Sequence, residues 1–125
     1  MATILVVDDN PIIQRMLSYT LRKDSHTVLT AANGLEALEH LAQSTIGLMI
    51  ADLAMPEMDG LELLKHVRAD RQLETLPVIM LTASGLDQDR LAAREEGVND
   101  FLTKPASSRE LIETVNRVLG QVCQS

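Results

Sequence analysis

The chain has 125 residues, the length of one domain, and we expect a single domain over residues 1–125. Its formal net charge of −7 has the wrong sign for direct binding to nucleic acid, because proteins neutralise phosphate backbones with lysine and arginine. The single cysteine excludes an internal disulfide, and the apolar runs are far shorter than the ~20 residues of a membrane helix, so we expect a cytoplasmic protein.

The chain is predicted to begin with a strand, a helix and a second strand. Thr3–Val7 is almost continuously apolar, which is typical of a strand covered on both faces. Asn10 and Pro11 then suit the cap and the first turn of a helix that ends near Lys23. The second strand follows at Thr27–Ala31. The core face of the first helix is predicted to contain Ile13, Met16, Leu17, Thr20 and Leu21.

The middle of the chain repeats the alternation. Asn33 with Glu36, and Asp59 with Glu62, are capping pairs that predict the start of a second and a third helix. A third strand, Gly47–Ala51, is predicted between these two helices. The second helix is predicted to bury Leu35, Leu38, Leu41 and Ala42. The third helix is predicted to bury Leu61, Leu64 and Val67.

The last third of the chain contains two more strands and two more helices. Val78–Leu81 predicts the fourth strand, and a more polar helix from about 87 to 96 ends at the cap residue Gly97. Phe101–Thr103 predicts a short fifth strand, and Ser107 with the glutamate three residues later caps the last helix. Five strands that alternate with five helices predict an α/β fold with a doubly wound parallel sheet.

Reactive side chains follow four of the five predicted strands. Asp8 and Asp9 follow the first strand, Asp52 the third, Thr82 the fourth and Lys104 the fifth. Each of these residues alone is typical of a cap, a turn or a solvated position. Ligands of doubly wound sheets bind beyond the carboxyl ends of the strands, so we expect these five side chains to converge on one site.

The residue types at this edge suit one chemistry. Three carboxylates repel one another unless a cation joins them, and Mg²⁺ prefers a few carboxylates, water and a phosphoryl oxygen. Asp8, Asp9 and Asp52 together with Lys104 have a formal charge of −2, which one Mg²⁺ cancels. A phosphoryl group could be transferred to a carboxylate there, with the metal, Lys104 and the Thr82 hydroxyl at its outer oxygens, to give an aspartyl phosphate.

Four segments of the sequence resemble the receiver domain of two-component response regulators. They are Val6–Asn10, Ala51–Gly60, Leu81–Ala83 and Phe101–Pro105, in that order, and the resemblance covers essentially the whole chain. It implies a five-stranded flavodoxin-like (βα)5 sheet with strand order 2-1-3-4-5, and a phosphoacceptor signalling domain rather than an enzyme. It also implies that Asp52 receives a phosphoryl group from the phosphohistidine of a histidine kinase or a phosphotransfer protein.

The resemblance also implies roles for the individual site residues. The implied protein ligands of Mg²⁺ are Asp9, Asp52 and the backbone carbonyl of Ala54, with Asp8 acting more through water. Thr82 and Lys104 contact the phosphoryl group, and Thr82 with Phe101 forms a switch that alters the face of helix four, strand five and helix five. On that face we expect a downstream target, an effector domain or a second copy of the chain. Ala54 and Ser84 are small where receivers often carry longer polar side chains, and Phe101 stands where tyrosine is common.

Other readings of the sequence share parts of this pattern. A flavodoxin-like cofactor protein would need a glycine- and hydroxyl-rich phosphate loop after the first strand, where this chain has Asp8–Pro11, and more than two aromatic residues. A phosphatase similar to the haloacid dehalogenases would carry Asp-x-Asp there rather than two adjacent aspartates. A receiver within a longer regulator or hybrid kinase is the alternative to a stand-alone protein.

Overall fold

The computed structural model describes residues 2–53, 55, 58–82, 87–104 and 106–123 of the chain. Over these residues the strands are β1 Thr3–Val7, β2 Thr27–Ala31, β3 Leu48–Asp52, β4 Val78–Thr82 and β5 Asp100–Thr103. The helices are α1 Pro11–Lys23, α2 Gly34–Gln43, α3 Gly60–Ala69, α4 Asp87–Glu95 and α5 Ser108–Cys123. Strands and helices alternate as predicted, and no helix of this part of the chain is long and apolar enough to cross a bilayer.

The third strand lies one residue later than predicted. The prediction was Gly47–Ala51, whereas β3 occupies Leu48–Asp52. Pairing with β4 continues to the end of the strand, because the Leu53 N–H donates to the carbonyl of Leu81 at 2.9 Å. Asp52 is therefore held by the sheet rather than by a loop. β4 and β5 are each one residue longer than predicted.

The strands of the described part of the chain form one parallel sheet in the order β2-β1-β3-β4-β5, as predicted. In the register of the sheet, Val7 pairs with both Ala31 and Ala51, and Asp52 pairs with Leu81. The strand order reverses at β1 and β3, and in doubly wound sheets the ligand crevice lies beyond the carboxyl ends at this point. The register brings the residues after β1 next to the end of β3.

Helices cover both faces of the sheet. Side chains alternate between the two faces along each strand, and the strands carry apolar residues on both. The face towards α1 and α5 buries Ile4, Val6, Leu48, Ile50, Ile79 and Leu81. The face towards α2, α3 and α4 buries Leu5, Val7, Met49, Ala51, Val78 and Met80. Each of these side chains contributes roughly 1.5–3 kcal/mol when fully buried, Ala less, so two apolar layers fix the sheet that positions the polar edge.

Four helices begin at caps that the sequence predicts. The side chain of Asn10 accepts a hydrogen bond from Ile12 N at 2.9 Å, and Asn33 accepts from Glu36 N at 2.9 Å. Asp59 accepts from the main chain three residues later at 2.8 Å, and Ser107 does the same at 3.1 Å. These local contacts satisfy amide groups that a helix leaves unpaired at its start.

The first helix buries a narrower face than predicted. Leu17 and Leu21 are buried as predicted, and Ser18 lies with them against the sheet. Met16 was predicted to face the core, but it is exposed, as is Ile12. Ile13 is half-buried against the same core as Leu17 and Leu21, as predicted, whereas the apolar residues further round the helix are exposed. An apolar edge of α1 is therefore left at the surface.

The second helix buries only part of the predicted face: Leu41 is buried and Leu38 packs half-buried against the core, as predicted. Leu35 and Ala42, predicted to be buried, are exposed. The residues that face the sheet are Gly34, Ala37 and Leu41. A Cβ at Gly34 would meet Sδ of Met58 at 2.6 Å, so the missing side chain lets the start of α2 approach the loop before α3. Close packing of small residues, rather than the largest apolar side chain, sets the orientation of this helix.

Gly60→Ala is expected to lower the free energy of unfolding. Gly60 begins α3, and its N–H donates to the carbonyl of Leu53 at 2.9 Å. A Cβ there would fall against the carbonyl oxygen of Asp52 and 2.9 Å from Cα of Leu53, which are backbone atoms that cannot rotate away. Overpacking of this kind costs about 1–3 kcal/mol, measurable by urea unfolding.

Gly120→Ala is the matched control for Gly60→Ala. Apart from its two neighbours and the backbone of α5 itself, no heavy atom of the described residues lies within 4 Å of a Cβ built on Gly120. Alanine is favoured over glycine inside a helix by about 0.8–1 kcal/mol, so the control should be slightly stabilised. Equal effects of the two substitutions would contradict the close approach at Gly60.

Candidate functional site

The residues after β1 begin the acidic edge of the sheet. The Asp8 N–H donates to the carbonyl of Ala31 at 3.0 Å, which extends the pairing with β2 by one residue. The Asp8 side chain is fully buried, and its Oδ1 accepts from Asn10 N at 2.9 Å. Asp9, in contrast, is exposed. The sheet and the turn thus hold one carboxylate rigidly below the surface and leave the next one open to solvent.

Asp8, Asp9 and Asp52 come together as predicted. One carboxylate oxygen from each lies within 4.8 Å of the others, and Asp52 is buried at the end of β3. Hard oxygen donors with excess negative charge are the ligands that Mg²⁺ prefers, and three carboxylates so close together are unfavourable without a cation. The donor set of this acidic cluster therefore fits a divalent metal ion.

Lys104 lies between two of these carboxylates. Its backbone N–H donates to the carbonyl of Thr82 at 2.7 Å, which fixes the residue just after β5. Its Nζ lies 2.9 Å from Oδ2 of Asp8 and 2.9 Å from Oδ2 of Asp52. Burial alone would lower the pKa of Lys104, but the hydrogen bonds and charges of Asp52 and Asp8 outweigh it and raise the pKa. The ammonium is therefore held in its charged form beside the acidic cluster.

The Thr82 side chain ends β4 at the same edge. The residue is 2% exposed, and its Oγ1 has no hydrogen-bond partner in the part of the chain that the structure describes. A buried hydroxyl without a partner costs about 1–3 kcal/mol. Thr82 therefore provides a donor that an anion bound at this edge can satisfy.

Phe101 lies two residues before Thr103, which pairs with Thr82 in the sheet register. Because side chains alternate along a strand, Phe101 points to the same face of the sheet as Thr82. It is half-buried against the core under α2, α3 and α4, and the guanidinium of Arg94 in α4 lies 5.9 Å from the centroid of its ring. The ring is thus in contact with the helix that follows the Thr82 strand.

The first residue of β5 is also joined to α5. Oδ2 of Asp100 accepts from Nη2 of Arg117 at 2.5 Å, and Oδ1 accepts from Phe101 N at 2.8 Å. Together with the Arg94 contact, these interactions connect α4, β5 and α5 side by side. A change at Phe101 would therefore act on both neighbouring helices.

Three predicted residues lie outside the described part of the chain. They are Ala54, whose carbonyl is a metal ligand implied by the resemblance, Ala83, whose small side chain is expected to leave a phosphoryl donor room to approach, and Ser84. The roles expected of them stay predictions.

Gln14 also contributes to this edge and was not predicted from the sequence. Its Nε2 donates to the carbonyl oxygens of Asp8 at 2.5 Å and Ala31 at 3.1 Å, which ties α1 to the ends of β1 and β2. The sequence feature that could have indicated this role is the position of Gln14, a polar residue next to Ile13 on the side of α1 that faces the sheet. Gln14 supports the acidic cluster from below by fixing the main chain at Asp8.

Comparisons with known proteins agree with this fold. The family model of the response regulator receiver domain matches residues 4–116. The chain is 40% identical over 119 residues to a chemotaxis protein CheY homolog of Campylobacter jejuni, covering 94% of this chain and 92% of that protein. The structure of CheY4 of Vibrio cholerae superposes with a TM-score of 0.91 at 36% identity, covering 94% of this chain and 98% of that one.

A further solved structure is informative about metal binding. The receiver domain of the sensor histidine kinase PA1611 from Pseudomonas aeruginosa is 31% identical, with a TM-score of 0.87, covering 95% of this chain and 98% of that chain. That structure has a magnesium ion coordinated in its active site cleft. The present chain has an acidic cluster that could bind a metal ion at the carboxyl edge of its sheet.

Proposed function

The chain belongs to the response regulator receiver domain family, and from this premise we propose that it is a signalling domain that accepts a phosphoryl group on Asp52. The observation that carries the proposal is the position of Lys104, whose Nζ lies 2.9 Å from carboxylate oxygens of both Asp8 and Asp52. A cation held beside an acidic cluster provides the charge that an incoming phosphoryl group needs.

In the proposed reaction the residues of this edge have distinct tasks. Asp8, Asp9, Asp52 and the carbonyl of Ala54 would hold Mg²⁺, which supplies charge neutralisation and polarises the phosphoryl group. A carboxylate oxygen of Asp52 attacks phosphorus, a P–O bond forms, and the P–N bond to the donor imidazole breaks with its electron pair returning to nitrogen. Lys104 then pairs with a phosphoryl oxygen.

The Thr82 hydroxyl would complete the binding of the phosphoryl group. Its Oγ1 is buried and unpaired in the described residues, and a phosphoryl oxygen is a strong acceptor. Movement of Thr82 towards the phosphoryl group would open space beside Phe101 on the same face of the sheet. The expected consequence is a change in the face formed by α4, β5 and α5.

The partners follow from this proposal. The donor is the phosphohistidine of a histidine kinase or a phosphotransfer protein, and the α4, β5 and α5 face binds a downstream protein, an effector domain or a second copy. We expect the domain over residues 1–125 to act in the cytoplasm, without direct contact to nucleic acid or membrane. The same site would serve in a stand-alone regulator, a longer regulator or a hybrid kinase.

Intact-protein mass after incubation with acetyl phosphate tests the proposal. With Mg²⁺ the mass should rise by one phosphoryl group, and with EDTA it should not change, because the acidic cluster then repels the donor. No gain in the presence of Mg²⁺ would contradict the proposal. Steady turnover of an external phosphomonoester would instead indicate a phosphatase.

Thr82→Ala is expected to allow phosphorylation but to uncouple it from the distant face. The lost charge-assisted hydrogen bond is worth about 1.5–3 kcal/mol, which changes a two-state equilibrium roughly tenfold or more. The measurement is the change in amide NMR shifts of α4 and β5 when beryllofluoride is added as a phosphoryl mimic. These changes should be large in the wild type and small in Thr82→Ala.

Thr103→Ala is the control for this prediction. Thr103 is the register partner of Thr82 on β5 and is exposed, so its substitution removes a hydroxyl from the neighbouring strand. When beryllofluoride is added to Thr103→Ala, the amide shifts of α4 and β5 should change as much as they do in the wild type. Full shift changes in Thr82→Ala, or wild-type changes limited to the loops around Asp52, would show that the signal does not pass through Thr82.

A further inference from the structure

An open surface cavity lies between α1 and β2, on the face of the sheet that packs against α1 and α5. Its volume is about 320 Å³, within the range of small-ligand pockets. The residues that line it are Gln14, Arg15, Ser18, Tyr19, Arg22 and Thr30. Five of these side chains can donate a hydrogen bond to a ligand, whereas both Nε2 hydrogens of Gln14 go to main-chain carbonyl oxygens. None of the six side chains carries a carboxylate. This α1–β2 cavity is therefore suited to an anion.

The charge of α1 contrasts with that of the whole chain. The chain has a formal net charge of −7, whereas α1 contains Arg15, Arg22 and Lys23 and no acidic residue. The helix dipole favours Arg22 and Lys23 in the last turn, but it gives no reason for Arg15 near the beginning of the helix. A local excess of positive charge in an acidic protein is thus concentrated around the α1–β2 cavity.

Neither arginine of the cavity is neutralised by a carboxylate within the described residues. Arg22 donates from Nη2 to the carbonyl of Val28 at 3.3 Å, and Arg15 is exposed. Arg15, Ser18 and Arg22 are separated by three and four residues, so they lie along one side of the helix. Two guanidinium groups with donors to spare therefore flank a hydroxyl in the middle of the cavity wall.

Ser18 provides an independent indication of a ligand. The residue is only 5% exposed, and among the described residues its Oγ has no hydrogen-bond partner. Buried hydroxyls are normally paired, and Ser18 belongs to the wall of this cavity. An acceptor oxygen that enters between α1 and β2 would satisfy it after a small movement.

The cavity is also held in shape before any ligand arrives. The amide of Gln14 is fixed by its two bonds to the carbonyl oxygens of Asp8 and Ala31. Thr30 is half-buried on β2 between the buried residues Val28 and Ala31. A wall that is already ordered loses little conformational freedom when it binds a ligand.

We propose that the α1–β2 cavity binds the dianionic phosphate of a small molecule. A guanidinium group can donate two parallel hydrogen bonds to the oxygens of a phosphate. Here Arg15 and Arg22 supply the guanidinium groups, and Ser18 and Thr30 supply neutral donors. Tyr19, 67% exposed at the rim, offers a ring to the remainder of a phosphate monoester. Free phosphate and an esterified phosphate share the chemistry that this cavity recognises.

Amide NMR titrations distinguish the two sources. The probes are inorganic phosphate and phenyl phosphate, added without divalent metal at ionic strength held constant with chloride. Saturable shifts should occur at residues 14–22 and at Thr30. Tighter binding of phenyl phosphate assigns the cavity to a phosphate ester, and equal binding assigns it to free phosphate. Neither titration involves Asp52 or a metal ion, so the result is independent of the proposed function.

Paired variants complete the test. Arg15→Gln with Arg22→Gln should weaken binding about tenfold or more, since two charge-assisted contacts are lost. Ser18→Ala should weaken binding without loss of stability. Arg109→Gln removes one positive charge, as each single substitution of the pair does, from an exposed position on α5 and should have no effect. Scattered or unsaturable shifts, an equal loss in Arg109→Gln, or binding of an acidic peptide but of neither phosphate probe would overturn the proposal.

Discussion

Asp52→Asn is expected to abolish phosphorylation by acetyl phosphate in the presence of Mg²⁺. The amide nitrogen of asparagine replaces one carboxylate oxygen, so the side chain is a very poor nucleophile and cannot form the acyl phosphate. An amide oxygen still accepts from Lys104, which lies 2.9 Å from Asp52, so the fold should be retained. Intact-protein mass should show one added phosphoryl group in the wild type and none in the variant.

The matched control is Asp70→Asn. Asp70 is exposed and follows α3 at the far end of that helix from Asp52, where its side chain accepts from Gln72 N at 2.9 Å. The Asp70→Asn variant loses the same charge as Asp52→Asn, and its mass should still rise by one phosphoryl group. A full mass gain in Asp52→Asn would show that another residue is the phosphoacceptor.

Asp9→Ala is expected to weaken Mg²⁺ binding at least about tenfold, because one of three carboxylate ligands is lost. In the absence of metal the variant should be as stable as the wild type or more stable. Asp9 is exposed, so little packing is lost, and its removal relieves repulsion with Asp8 and Asp52. Calorimetric titration with Mg²⁺ gives the affinity, and urea unfolding in EDTA gives the stability.

Glu39→Ala serves as the control for this experiment. Glu39 is an exposed carboxylate of α2, and its removal changes the net charge by the same amount. Mg²⁺ affinity should stay at the wild-type value in Glu39→Ala. If Asp9→Ala also kept the wild-type affinity, the metal would bind somewhere other than the acidic cluster.

Local chemistry explains why much of this site could be predicted from the sequence. A cap such as Asn33 or Asp59 bonds to an amide only three residues away, so its signal lies within a few residues. The convergence of Asp8, Asp52 and Lys104 was predictable for a different reason. In a parallel sheet the carboxyl ends of all strands lie at one edge, so the residues that follow the strands meet whatever the helices do.

Which residues of a helix face the core could not be predicted in the same way. On α2, helical spacing is compatible with a buried face that contains Leu35 and with one that contains Ala37. The larger apolar side chain of Leu35 favoured the first. The structure buries Ala37, because Gly34 allows a close approach to Met58, which is 24 positions later in the chain. Such a contact depends on two segments that meet only after the sheet has formed.

The sequence by itself determined the order of the elements, most of their ends and the acidic edge, because these depend on local hydrogen bonds and on strand direction. The tertiary structure alone decided the partners of Arg68. Its guanidinium donates to the carbonyl oxygens of Glu74, Leu76 and Gly97 and to the side chain of Asn99. Carbonyl oxygens are present at every residue, so no side-chain pattern marks them in advance. The α1–β2 cavity likewise forms only when α1 packs against β2, because that packing places Thr30 opposite the donors of the helix.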